Sequence, residues 1–145
     1  MNKKGFTLIE LLVVIAIIAL LSTLAVVALG SARKKANDAK RLSDIKQTQT
    51  ALELYYTDKN SYPTSTGGIV LGSTAAACLN SASAFTTTGC SDAYMPTVPK
   101  DPGSTAYTYT SADGTTYTIA ATLEAGAANL AAGAITATPS TIKNN

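Results

Sequence analysis

From Phe6 to Leu29 the chain reads FTLIELLVVIAIIALLSTLAVVAL, almost unbroken hydrocarbon with one charge, Glu10. Those 24 residues would span ~36 Å as a helix at ~1.5 Å per residue, more than the ~30 Å core of a bilayer. Past Ser31 the pattern changes without breaking. No proline or glycine occurs between Ser31 and Tyr56, and Leu42, Ile45, Gln49, Leu52 and Tyr56 step by three and four. That spacing predicts an amphipathic helix with a mostly apolar stripe, while Lys40, Arg41, Asp44, Lys46 and Glu53 take mostly the other faces. One helix is therefore expected from Phe6 to about Thr57, apolar all round over 6–30 and amphipathic over 31–57, with Gly30 its weakest residue.

Asp58-Lys59-Asn60-Ser61-Tyr62-Pro63 reads as a helix exit, since Pro63 cannot continue a helix. Segment 64–90, rich in Thr, Ser, Gly and Ala, is expected to be a loop with a short helical piece around Thr74–Leu79. Pro96, Pro99 and Pro102 mark an extended connector. Tyr107–Thr110 and Thr116–Leu123 then alternate with period two around Ser111-Ala112-Asp113-Gly114, which predicts a β-hairpin. Its Tyr107, Tyr109, Tyr117, Ile119, Ala121 and Leu123 would face the helix stripe. Ala134–Thr138 could supply another strand, within a low-complexity tail expected to be disordered at its end. The fold class is thus α+β: a long N-terminal helix packed on a small antiparallel sheet. The expected organisation is a basic leader over 1–5, an apolar helix over 6–30, its amphipathic continuation over 31–57, and a small globular domain over 58–145.

Composition narrows the chemistry. The chain has no histidine, its charged fraction is 14% and its net charge is +2. Its serines and threonines lack an evident activating base, so no catalytic residue is assigned. Gly67-Gly68 is followed by Ile69-Val70-Leu71, without the lysine of a phosphate-binding loop. Two cysteines and no histidine are too few for a thiolate metal site, and no cofactor or metal is expected. After the helix the only basic residues are Lys59, Lys100 and Lys143, which argues against nucleic acid as a partner.

Glu10 needs a reason, because a charge in hydrocarbon usually has a partner and a task. Lys4-Gly5-Phe6-Thr7-Leu8-Ile9-Glu10, followed by Leu11-Leu12-Val13, closely resembles the processing site of type IV prepilins and type II secretion pseudopilins. The resemblance implies that an inner-membrane peptidase cuts between Gly5 and Phe6 and methylates the amine of Phe6. It also implies that Glu10 meets the terminal amine of Phe6 on a neighbouring subunit and sets the register of a filament. Two other readings of Glu10 remain: a protonated, tolerated residue, or an element read only by the peptidase. Further along, Ala51-Leu52-Glu53-Leu54-Tyr55, Ser61-Tyr62-Pro63, Val98-Pro99-Lys100-Asp101-Pro102 and Tyr107-x-Tyr109 before Gly114 and Tyr117 resemble the major pseudopilin and small pilins like it. The implied fold is pilin-like. The implied partners are copies of the chain in a helical homopolymer, the prepilin peptidase, an assembly platform protein and an assembly ATPase.

Major pseudopilins usually hold calcium in an Asp-containing loop after the last strands. Here Glu124 is the sole carboxylate side chain after Tyr117, too little for an ion that takes six to eight oxygens, so no calcium is expected there and Asp113 reads as a turn residue. Cys78 and Cys90 form an even pair in a turn-rich region of a domain expected outside the cytoplasm, which suggests a disulfide; free thiols in a reducing compartment are the other reading. The pair is foreign to the pseudopilin pattern and leans towards a pilus. Counting basic residues would place the C-terminal side in the cytoplasm, since Arg33, Lys34, Lys35, Lys40 and Arg41 outnumber Lys3 and Lys4. The resemblance instead fixes the leader inside. The expectation is an inner-membrane precursor that becomes an extracellular pilus subunit; the alternatives are a periplasmic pseudopilus subunit and a membrane-anchored binding module that never polymerises.

Overall fold

The computed structural model describes residues 5–145; Met1–Lys4, with the leader's two lysines, lie outside the described residues. Helix α1 runs Leu8–Lys59, so it starts two residues later and ends two residues later than the sequence pattern suggests. It passes Gly30 without a break. The chain divides into two compact units, one ending at Lys34 and the other covering Lys35–Asn145. In the first, every described residue is exposed, including each apolar side chain from Phe6 to Leu29. The helix there is long and apolar enough to cross a membrane.

The second unit holds the core. Its largest sheet is antiparallel and five-stranded, built from β1 (Ser65–Val70), β5 (Thr108–Ser111), β6 (Thr118–Leu123), β7 (Gly133–Ala137) and β8 (Ile142–Asn144), adjacent in that order. A smaller sheet places β2 (Cys78–Asn80) between β3 (Ala84–Thr86) and β4 (Ala93–Met95). The hairpin is as the alternation predicts: Tyr109 pairs with Ile119 and Thr110 with Thr118. Tyr107, Tyr109, Tyr117, Ile119, Ala121 and Leu123 are all buried and pack in one cluster with Ile45, Ala51 and Leu52 of α1. The opposite face of the sheet carries Thr108, Thr110, Thr118, Ala120, Thr122, Ala134 and Thr136, with Lys143 paired to Thr136 at its margin. Asp113 is a turn residue, accepting from the Thr115 amide at 2.9 Å and hydroxyl at 2.7 Å.

The structure corrects the sequence reading in three places. Segment 64–90 is not a loop with a helical piece at Thr74–Leu79 but contributes β1, β2 and β3. Strands of three residues are too short to show an alternation. What makes β2 a strand is pairing on both sides, with Leu79 opposite Phe85 and Met95. The C-terminal end is not disordered: β8 pairs with β7, and the Asn144 amide exchanges two hydrogen bonds of 3.0 Å with the Ala131 backbone. An alanine- and threonine-rich segment shows little hydrophobic periodicity, so backbone pairing there leaves no trace in composition. Third, Arg41 and Asp44 are buried rather than facing outward, with Asp38 beside them, while Leu42, Gln49 and Tyr56 of the expected stripe are only half-buried.

The burial pattern separates two neighbouring leucines on α1. Leu52 is fully buried and Leu54 is 51% exposed. Leu52→Ala should destabilise the second unit by about 2–5 kcal/mol through transfer and cavity terms. Leu54→Ala should stay within about 0.5 kcal/mol. Urea unfolding of the full chain in detergent checks both, and equal losses would mean that the buried face of α1 is assigned wrongly.

Candidate functional site

The first candidate site is the head of α1. Gly5 and Phe6 precede the helix and are exposed, Phe6 at 87%. Phe6 flanks a shallow surface depression with Ile9, Glu10, Val13 and Val14. A helix start leaves four amides without intrahelical partners. Thr7 and Glu10 answer two of these needs reciprocally. The Thr7 amide donates to Glu10 Oε2 at 2.8 Å, and the Glu10 amide donates to Thr7 Oγ1 at 3.3 Å. The Thr7 hydroxyl also donates to Glu10 Oε2, at 2.7 Å. This is a capping box, with a carboxylate at the positive end of the helix dipole. The sequence carries its signal, Thr-x-x-Glu ahead of an apolar run, which the charge of Glu10 overshadows. Within a single chain the Glu10 carboxylate therefore has a local partner. Among the described residues no cation reaches it, because every ion pair there belongs to Arg41.

That arginine forms the second cluster, wholly within the second unit. Arg41 and Asp38 stand one turn apart on α1 and pair through Nη1 and Oδ1 at 2.7 Å. The Asp101 carboxylate takes Nε at 2.8 Å and Nη2 at 3.1 Å, a two-pronged contact suited to a planar guanidinium. Glu124, just past β6, reaches Nη2 at 2.8 Å. Asp38 also accepts from the amides of Glu124 at 2.9 Å, Ala125 at 2.6 Å and Gly126 at 2.9 Å. One guanidinium thereby joins the helix, the proline-rich connector and the loop after β6. Two glycines make room for this. A Cβ on Gly103 would lie 2.6 Å from Arg41 Nη2, and Gly126 has φ +85°, where a Cβ would meet the Leu130 carbonyl at 2.7 Å.

Burial alone would raise the Asp38 carboxyl. The amides of Glu124 and Ala125, the Arg41 guanidinium and the Gly126 amide outweigh it and hold the group below its ordinary value. Burial likewise opposes Asp101, yet Arg41, the Gly103 amide and the Thr105 hydroxyl hold it low. Asp44 goes the other way: burial raises it despite a 3.1 Å bond from the Tyr107 hydroxyl. Sequence reasoning missed this cluster. Its only local signal was the Asp38–Arg41 spacing of three, which ordinarily marks a solvated helix pair.

Cys78 and Cys90 are joined in a disulfide, tying β2 to the short 3-10 turn Cys90–Asp92 that precedes β4. Among the described residues no cysteine is free.

Comparison with known proteins follows these two regions. Residues 1–30 match the model of the prokaryotic N-terminal methylation motif, and residues 28–137 match that of type II secretion system protein G. The type II secretion system core protein G of Aeromonas hydrophila is 40% identical over 68 residues, 47% of this chain and 48% of that protein. Its Escherichia coli counterpart is also 40% identical over 68 residues, 47% of each chain. The type IV wide pilus major component PilA4 of Thermus thermophilus is 44% identical over 69 residues, 48% of this chain and 53% of that protein. The chain spans about half the length of these curated relatives. No solved structure matches it significantly.

The depressed carboxyls carry a pH signature. Asp38 and Asp101 titrate lower folded than unfolded, so the unfolded chain binds more protons. The stability they add is complete above the unfolded value of about 4 and is lost as pH falls through their folded values. Asp38→Asn should cost about 3–5 kcal/mol at neutral pH, as expected when a buried pair loses one partner. Its stability should then decline less steeply below about pH 4 than that of the parent chain. Urea midpoints over a pH series check the slope; parallel curves would mean that Asp38 does not supply it.

Proposed function

The chain belongs to the type II secretion system protein G family, and within that family we propose that it is the structural subunit of a type IV pilus, polymerising through α1 after a peptidase removes residues 1–5. The observation that carries this is the apolar helix surface. From Leu8 to Leu29 the large hydrophobic side chains are 47–80% exposed in a single chain. A patch of that extent must be covered, first by lipid and then, outside the membrane, by other copies.

In this reading Gly5 and Phe6 form the cleavage site, and Phe6 supplies the N-methylated amine. Glu10 then has successive partners: Thr7 in the lone chain, and the Phe6 amine of a neighbour in the filament. An ammonium and a carboxylate in an apolar core offset their desolvation only when they meet closely, so a wrong register strands both. The role is structural rather than catalytic. The precursor sits in the inner membrane, with residues 6–30 as the span and the remainder outside the cytoplasm. A peptidase, a platform protein and an ATPase act on it, since it carries no motor of its own.

A second reading, the major subunit of a periplasmic secretion pseudopilus, is favoured by the protein G match over residues 28–137. The disulfide and the loop after β6 weigh towards the pilus.

Mass spectrometry of material sheared from cells and of the cell pellet separates the two. N-methyl-Phe6 chains abundant in the sheared fraction are the expected result. The same chain confined to the pellet would favour the pseudopilus, and a Met1 terminus in both would sink the prepilin reading. Substitutions separate the two partners of Glu10. Glu10→Ala should be processed yet yield about tenfold less filament or worse, from loss of a charge pair. Thr7→Val should lose about 1 kcal/mol of cap and still assemble. Normal filaments from Glu10→Ala would refute the register role.

A further inference from the structure

The family resemblance implies a calcium ion in a loop that follows the hairpin, here the segment between β6 and β7 that begins at Glu124. The donors present do not fit one. Glu124, the loop's only carboxylate, lies on Arg41 at 2.8 Å. The loop's first three amides, of Glu124, Ala125 and Gly126, point their hydrogens at Asp38, so the start of the loop presents positive edges where a cation would need oxygens. The carbonyls of Ala127 and Leu130 are taken by each other's amides at 3.1 Å, and that of Ala131 accepts from Asn144. Calcium takes six to eight oxygens, usually with several carboxylates among them.

We propose that the Arg41 guanidinium replaces the metal in this chain, as a covalently attached cation that locks the loop after β6 onto α1 without calcium. The geometry has the elements of a cation site with the ion built in. Three carboxylates converge on one positive centre from three segments: Asp38 on the helix, Asp101 in the connector and Glu124 in the loop. Three carboxylates against one guanidinium leave negative charge over. Amides of Gly103, Glu124, Ala125 and Gly126 face that surplus. The guanidinium's planar fork is what allows one residue to hold all three; an ammonium in its place would be a point charge unable to keep the two-pronged hold on Asp101.

The device frees the loop from the calcium concentration outside the cell. It also places the lock at a single residue, so loss of Arg41 should release the loop first and the sheet afterwards.

The test uses the full chain in detergent and reads a single molecule, so its outcome is independent of whether the chain polymerises. Thermal unfolding of the unsubstituted chain should give the same midpoint in millimolar calcium chloride as in chelator. A midpoint that rises with calcium would overturn the proposal, because a ligand bound only by the folded state must stabilise it. Hydrogen exchange locates the lock. In Arg41→Lys the amides of Ala125 and Gly126 should exchange about tenfold faster or more, while those of Ile119 and Ala121 in β6 change little. Unchanged protection at Ala125 and Gly126 would also overturn it. Should Arg41→Lys fail to fold, Glu124→Gln provides the same reading, because that carboxylate is 35% exposed and its loss is milder. Loop amides in that variant should again loosen before those of β6, and uniform loosening would count against the lock.

Discussion

A guanidinium with 1% of its side-chain surface exposed must be neutralised where it stands, and in this chain that requirement organises the second unit. Charges removed from water cost several kcal/mol each unless every donor and acceptor is matched. Arg41 is matched by segments 60 and 83 residues away along the sequence, at Asp101 and Glu124. The connector and the loop after β6 consequently have defined positions against α1, and Val98 and Leu130 add apolar contact with the core. The tyrosines supply area for the core, but area does not choose a register. A planar ion with directional donors does, because its two-pronged hold on Asp101 fixes both distance and orientation.

The parts of the fold legible from the sequence are those written in periodicity. Phe6 to Leu29 announced an apolar helix, and Tyr107 to Leu123 announced a hairpin and its inward face. The illegible parts depend on partners distant in the chain. Leu79 belongs to a strand because Phe85 and Met95 flank it, and Ile142 because β7 is there to be paired. For Arg41 and Asp44 the general rule that charges prefer water predicts an outward position, and it fails where carboxylates and a tyrosine hydroxyl converge. At the helix head the reverse occurred. The charge of Glu10 stands out in an apolar run, whereas its bond to Thr7, three residues away, is written only in the less conspicuous Thr-x-x-Glu spacing.

The two polar clusters are of opposite character. Around Arg41 every oxygen of Asp38 and Asp101 is engaged inside one molecule, so the cluster is finished when the chain folds. At Glu10 an exposed carboxylate is held only by a neighbouring threonine in one turn of helix. An interaction so local is easily exchanged for another donor of higher charge. A closed cluster suits a domain that must keep its shape, and an open one leaves the carboxylate free to take a different donor.

The outer face of the five-stranded sheet, with threonine and alanine along β5, β6 and β7, has almost no charge apart from Lys143 at its margin. Displayed side by side on many copies, such a face generates little electrostatic repulsion. Dissolved salt then has little to screen. Contact between two such faces would then depend more on stripping water from threonine hydroxyls than on ionic strength.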